Sequence, residues 1–129
     1  MPWLAVPVGG ALGASSRWGI SVLVAEAGGD LPLATLAVNV LGCLAMGLLV
    51  AFVLAHPARH PLWRPFLGVG FLGGFTTFSA FAADTILLAR DGAWAMSAAY
   101  LVVSLAGCLL AVWAGIAIGR RIQDRRAER

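Results

Sequence analysis

The residues GFLGGFTTFSAF at positions 70–81 constrain the fold most, because they place a backbone break inside an otherwise apolar segment. Paired glycines, paired threonines and three phenylalanines fall within residues 73–81, and no charge appears before Asp84. In hydrocarbon an unpaired peptide group costs several kcal/mol, so an irregular backbone persists only where protein or a water-filled cavity covers it. Carbonyl oxygens freed by such a break can bind a small cation, and phenyl ring edges carry positive partial charge. The stretch therefore indicates ion handling.

The surrounding composition is that of an integral membrane protein. Hydrophobic residues make up 60% of the chain and charged residues 12%, whereas soluble domains carry roughly 25% charged residues. A membrane-spanning helix needs ~20 apolar residues. The sequence predicts one all-α domain over residues 1–129, with the third of its four spans broken near residues 73–77. The predicted spans cover about residues 4–25, 33–55, 62–89 and 94–118, and a basic tail covers 119–129.

The basic residues are all arginines, and their positions predict an orientation. Arg59, Arg64 and the five arginines of the tail fall on the side of the membrane that holds both termini, against Arg90 on the other. By the positive-inside rule both termini are expected in the cytoplasm. Four helices of this length leave little room for an aqueous path, so a transport function would require an oligomer.

Arg17 and Asn39 are polar residues inside the predicted spans. An arginine in mid-helix costs ~2.5–3.5 kcal/mol on insertion scales, so Arg17 is expected to face the bundle interior or a wet vestibule. Arg17 would act there as an anion attractor; alternatively, it snorkels toward the interface or makes a structural pairing. The amide of Asn39 can hold an anion or water, or it can join two helices.

A stripe of hydrogen-bond donors follows one face of the fourth span. Tyr100, Ser104 and Cys108 are spaced four residues apart, and such a stripe could pass a small anion along the helix. A serine can also bond back to its own helix carbonyl. Asp84 either pairs with an arginine or marks the end of the third span.

The sequence contains no candidate set for catalysis and no phosphate-binding loop, which predicts that the protein is not an enzyme. Prolines directly follow His56 and His60, so these histidines are not displayed on one helix face as metal ligands would be. Cys43 and Cys108 lie in apolar segments and are interpreted as small apolar filler. Without a soluble basic surface, nucleic acid is not an expected partner.

Three stretches of the chain resemble one family, the Fluc (CrcB) fluoride channels. GGALGASSRW at 9–18 is similar to the family's glycine-rich first helix with its arginine, and NVLGC at 39–43 is similar to its second-helix asparagine motif. GFLGGFTTFSAF at 70–81 is close to its highly specific third-helix signature. The likeness covers nearly the whole chain.

The resemblance implies an antiparallel, dual-topology dimer with two fluoride pores and a structural sodium ion at its centre. The backbone carbonyls of Gly73 and Thr76 from both subunits would bind the sodium, and Arg17 would lie near a vestibule. Cytoplasmic fluoride would leave passively across a bacterial inner membrane. The implied pore residues are Asn39, Thr77, Phe78, Phe81, Tyr100 and Ser104.

The chain departs from the family pattern at a few positions. Cys108 stands where a serine is expected, Ala80 where a threonine is common, and Asp84 where a glutamate is usual. The uneven arginine distribution favours one orientation in the membrane, whereas a dual-topology dimer requires the chain to insert in both. A heterodimer of two homologous chains therefore stays open beside the homodimer, which we favour.

Two other functions fit a small four-span protein. A multidrug or cation proton antiporter needs a membrane-embedded carboxylate in its first helix, but the first acid of this chain is Glu26, at the end of that span. A non-transporting membrane assembly protein would account for the small-residue helix faces, but not for the broken third span with its phenylalanines.

Overall fold

The computed structural model describes residues 2–26, 31–55 and 62–128, and within these residues it contains helices and no strands. The predicted all-α fold is confirmed. The predicted domain also includes Met1, Arg129 and the segments 27–30 and 56–61, which lie outside the described residues. The helices are α1 (Pro2–Glu26), α2 (Leu33–Ala55), a π-helix (Arg64–Leu72), α3 (Gly73–Phe75), α4 (Phe78–Arg90) and α5 (Trp94–Ala127).

Three segments of the described chain are long and apolar enough to cross a membrane: Leu33–Val53, Arg64–Arg90 and Trp94–Ala127. The first helix has 25 residues, and at 1.5 Å per residue it exceeds the ~30 Å of a hydrocarbon core. It is less apolar than the other three, because it contains four glycines, three serines and Arg17. Its role as a fourth span stays a prediction.

The third segment is broken where the sequence predicts. Thr76 (φ −77°, ψ 157°) ends α3, and Thr77 (φ −149°, ψ 123°) precedes α4, so two extended residues separate the helices. The sequence pattern did not reveal that Arg64–Leu72 forms a π-helix, because helical apolar spacing does not distinguish π from α hydrogen bonding.

Helices that are not neighbours in the chain make the closest packing. A Cβ placed on Gly70 of the π-helix would come within 2.7 Å of the carbonyl oxygen of Val6 in α1, so the backbones of these two helices touch. In the same way, Gly47 of α2 lies against Gly115 of α5. Only residues without a Cβ allow so close an approach in a membrane, so these glycines serve helix packing.

Helices α2 and α5 run parallel. Gly47 faces Gly115, and the later Ala51 faces Gly119, so both chains advance in the same direction. At its far end α5 continues as a helix through the arginines of the predicted tail to Ala127. There the amide of Gln123 donates to the carbonyl oxygen of Ala51 at 2.9 Å. The membrane boundary near residue 118 stays a prediction.

Candidate functional site

The break between α3 and α4 is bridged by a side chain from α2. Asn39 Nδ2 donates to the carbonyl oxygen of Thr77 at 2.9 Å, and the Thr77 N–H donates to Asn39 Oδ1 at 2.8 Å. The carboxamide therefore replaces the peptide partners that a continuous helix would provide. Its nitrogen carries two hydrogens, so the second N–H remains for another acceptor.

Two backbone carbonyls at the break lose the donors that a continuous α-helix would supply. The Gly73 oxygen would accept the N–H of Thr77, which goes instead to Asn39. The Thr76 oxygen would accept the N–H of Ala80, which donates to Thr77 Oγ1 at 3.2 Å. Oxygen ligands suit hard cations, so the two carbonyls have the chemistry that a sodium site needs. Sodium binding itself stays a prediction.

A third carbonyl at the break is held by the arginine of α1. Arg17 Nε donates to the carbonyl oxygen of Gly74 at 3.3 Å, and the contact is partly buried. This contact is the structural pairing that the sequence left open for Arg17. Arg17 does not line the cleft beside the break. Its vestibule role stays a prediction.

A cleft of about 260 Å³ lies beside the break, between α2, α4 and α5. It brings together five of the six residues that the sequence assigns to the pore, and the sixth, Tyr100, lies behind one of them. The cleft is lined by Asn39, Cys43, Thr76, Thr77, Phe78, Phe81, Ser104, Leu105 and Cys108.

Aromatic rings connect the surface of the cleft to the core. Phe78 is 76% exposed, whereas Phe81 is 8% exposed. Their ring centroids are 5.7 Å apart, and Phe81 lies at the same 5.7 Å from Tyr100. The Tyr100 hydroxyl donates to Asp84 Oδ2 at 3.4 Å. Asp84 thus pairs with a phenol from α5, a contact that the sequence did not suggest, and its two suggested roles stay predictions.

The hydroxyl of Ser104 is the least satisfied polar group of the cleft. Ser104 is 3% exposed, and its Oγ has no hydrogen-bond partner within the described part of the chain. A buried hydroxyl without a partner costs roughly 1–3 kcal/mol. The neighbouring Ser97 shows the contrast, because its Oγ donates to the carbonyl oxygen of Thr85 at 2.7 Å. Donation by the Ser104 hydroxyl to an anion in the cleft stays a prediction.

Sequence reasoning placed Cys108 on the donor stripe of the fourth span, but it missed Cys43 as a cleft residue. Cys43 follows Asn39 by one helical turn, so it shares a helix face with a predicted pore residue, and this spacing was the available signal. The interpretation of Cys43 as apolar filler overlooked that signal, because two separate spans do not reveal which faces meet.

Comparison with known proteins identifies the family. The model of the family described as "CrcB-like protein, Camphor Resistance (CrcB)" matches residues 4–116. A protein of Paracoccus denitrificans named fluoride-specific ion channel FluC is 49% identical, over 92% of this chain and 94% of its own length. The FluC protein of Acidobacterium capsulatum is 41% identical, over 95% and 98%. FluC 2 of Listeria monocytogenes is 38% identical, over 100% and 98%.

These matches include the break, the asparagine that bridges it and the helices that frame the cleft. The family model leaves out three residues at the start of the chain and thirteen at its end. The chain is therefore a multi-pass bacterial membrane protein, and it belongs to the CrcB family, as do the relatives named fluoride-specific ion channels.

Proposed function

We propose that the protein is a fluoride-specific ion channel of the bacterial inner membrane and lets cytoplasmic fluoride leave passively. The observation that carries this proposal is the buried, unpartnered Ser104 hydroxyl in a cleft that also contains the Phe78–Phe81 pair. The relatives at 38–49% identity are named fluoride-specific ion channels. Ion channels are not enzymes, so these names agree with the prediction that the protein is not an enzyme. The names of these relatives favour the channel over the antiporter and the assembly protein.

The cleft offers what a small, strongly hydrated anion needs. Fluoride must exchange its water contacts for hydrogen bonds and oriented dipoles, and a buried donor without a partner is preorganised for that exchange. The second N–H of Asn39 and the Ser104 hydroxyl supply donors. The ring edges of Phe78 and Phe81 supply positive partial charge. A path that requires so many close donors would fit the larger chloride poorly.

The break itself is proposed to hold a structural sodium ion. The carbonyl oxygens of Gly73 and Thr76, freed by the hydrogen bonds of Asn39 and Thr77, would be its ligands from each of two subunits. Sodium would supply positive charge at the point where two broken helices meet. Replacing sodium by N-methyl-D-glucamine should lower the melting temperature of the purified protein, and readdition of sodium should restore it.

The sodium site requires a second chain in the opposite orientation. Phe78, at 76% exposure, lies open on the single chain, as a residue at a subunit interface would. We favour a homodimer, and a paired homologous chain remains the alternative. A C-terminal cysteine added to a Cys43→Ser, Cys108→Ser variant tests this. An impermeant maleimide should label about half of the added cysteines from each side of the membrane if chains insert both ways, whereas labelling from one side alone would require a partner chain.

The first experiment is fluoride efflux from liposomes that contain the purified protein. Efflux is read with a fluoride electrode after valinomycin provides a path for potassium, and it is repeated with chloride. Rapid release of fluoride and not of chloride supports the channel. Absence of release from a correctly folded dimer, and from the chain co-expressed with a homologous partner, would refute it.

A further inference from the structure

The two cysteines of the chain face the same cleft. Cys43 of α2 and Cys108 of α5 both line it. Both are free and half-buried. Because the chain contains two cysteines in all, any thiol chemistry of the protein belongs to this pair.

The pair lies on the same track as the predicted pore residues. Asn39 and Cys43 share one face of α2, and Ser104 and Cys108 share one face of α5, at a spacing of four residues. Since α2 and α5 run parallel, a step of four residues moves in the same direction on both helices. The two cysteines therefore lie four residues, about 6 Å along the helix axes, beyond the residues that carry the amide and hydroxyl donors.

Paired thiols suit a different ligand from fluoride. An S–H group is a weak hydrogen-bond donor, whereas thiolates bind soft metal ions strongly. Zinc requires four ligands in a structural site, and no group of three or more His, Cys, Asp or Glu side chains occurs among the described residues. Two thiolates alone match soft monovalent cations that accept linear, two-coordinate binding.

We propose that Cys43 and Cys108 together bind one soft monovalent cation, Ag⁺ or Cu⁺, and that the occupied site closes the cleft to anions. Each thiol loses a proton to water, two metal–sulfur bonds form, and the cation keeps its oxidation state. Two thiolates and one monovalent cation leave one negative charge, which repels fluoride in the low dielectric of the cleft. The closure rests on the proposed channel function, whereas cation binding does not.

Silver tests the site, in chloride-free nitrate buffer with reductant removed. Binding is followed as bound silver and as free thiols that remain, and fluoride efflux is measured in parallel. We expect one Ag⁺ per chain, simultaneous loss of both thiols and inhibition that a dithiol reverses. Cys43→Ser or Cys108→Ser alone should weaken binding and inhibition at least about tenfold, which corresponds to ~1.4 kcal/mol. Met46→Leu, which removes a thioether from α2, is the matched control and should change neither.

Several results would overturn the proposal. One is independent binding, with two Ag⁺ per chain, and another is full silver binding with unchanged efflux. Alanine replaces serine if a variant does not run as a folded dimer on size exclusion. If the wild type shows no efflux even without silver, the proposed function fails, but the binding stoichiometry still decides the two-thiolate site.

Discussion

The side chain of Asn39 pairs with both backbone polar groups of Thr77, at 2.9 Å to its carbonyl oxygen and 2.8 Å from its N–H. One carboxamide thereby satisfies the residue at which the third segment stops being helical. It also frees the Gly73 carbonyl by taking the N–H that this carbonyl would otherwise bind. The same residue therefore braces the break and presents a donor to the cleft.

Replacing the amide of Asn39 by a carboxylate changes the contact with the Thr77 carbonyl oxygen and keeps an acceptor for the Thr77 N–H. In Asn39→Asp the atom that faces the Thr77 carbonyl is an oxygen, so a hydrogen bond becomes a repulsion. We expect fluoride efflux to be lost and the free energy of unfolding to fall by about 1–3 kcal/mol, the cost of one unsatisfied buried group. Thermal unfolding and liposome efflux measure the two effects. Ser16→Ala, on the exposed side of α1, is the control, and wild-type efflux from Asn39→Asp would contradict the assignment.

Two serines of α5 should respond in opposite ways to the same substitution. Ser104→Ala removes a buried hydroxyl that has no partner, so stability should stay equal or rise while fluoride efflux falls. Ser97→Ala breaks a 2.7 Å hydrogen bond to Thr85 and should cost ~1 kcal/mol with efflux retained. Melting temperature and efflux rate are compared for the two variants. A loss of stability in Ser104→Ala would mean that its hydroxyl is structural.

The two phenylalanines of the cleft should also differ. Phe81 is 8% exposed and packs on Tyr100, so Phe81→Ala should cost about 3–5 kcal/mol of unfolding free energy as well as efflux. Phe78 is 76% exposed on the single chain, so Phe78→Ala should abolish efflux at a smaller cost in melting temperature than Phe81→Ala, a cost set by the subunit interface. Equal destabilisation by both substitutions would contradict this difference.

A pair of glycines in α1 tests the helix contacts. A Cβ at Gly13 would collide with the backbone carbonyl oxygen of Phe71, whereas a Cβ at Gly19 would meet nothing within 4 Å. Gly13→Ala should therefore destabilise the protein by about 1–3 kcal/mol, as overpacking does, and Gly19→Ala should leave it unchanged. Thermal unfolding in detergent distinguishes them, and equal melting temperatures would refute the close contact.

Much of the fold follows from local sequence. The length of an apolar run determines a span, and the Gly-Gly and Thr-Thr pairs determine a break within their own segment. The break at Thr76 and Thr77 is such a case. The site residues were named mainly by resemblance, and the structure brings Asn39, Phe81 and Ser104 to one cleft without testing their roles.

Other features depend on which helix faces meet, and sequence periodicity does not carry that information. The cleft brings together Cys43 and Cys108, which lie 65 positions apart in the sequence. The bond from Arg17 to Gly74 joins residues 57 positions apart. The hydrogen bond between Tyr100 and Asp84 likewise required the turn at Gly92, where φ is +83°, to fold α4 onto α5.

The pairing of α1 with the π-helix, and of α2 with α5, has a consequence for biosynthesis. No long helix packs most closely against the one that leaves the ribosome just before or after it. The glycine face of α2 meets its partner only after the last span has been made, so a nascent chain that stops before Trp94 exposes that face to lipid. Insertion of the early spans therefore precedes the packing of those helices against their partners.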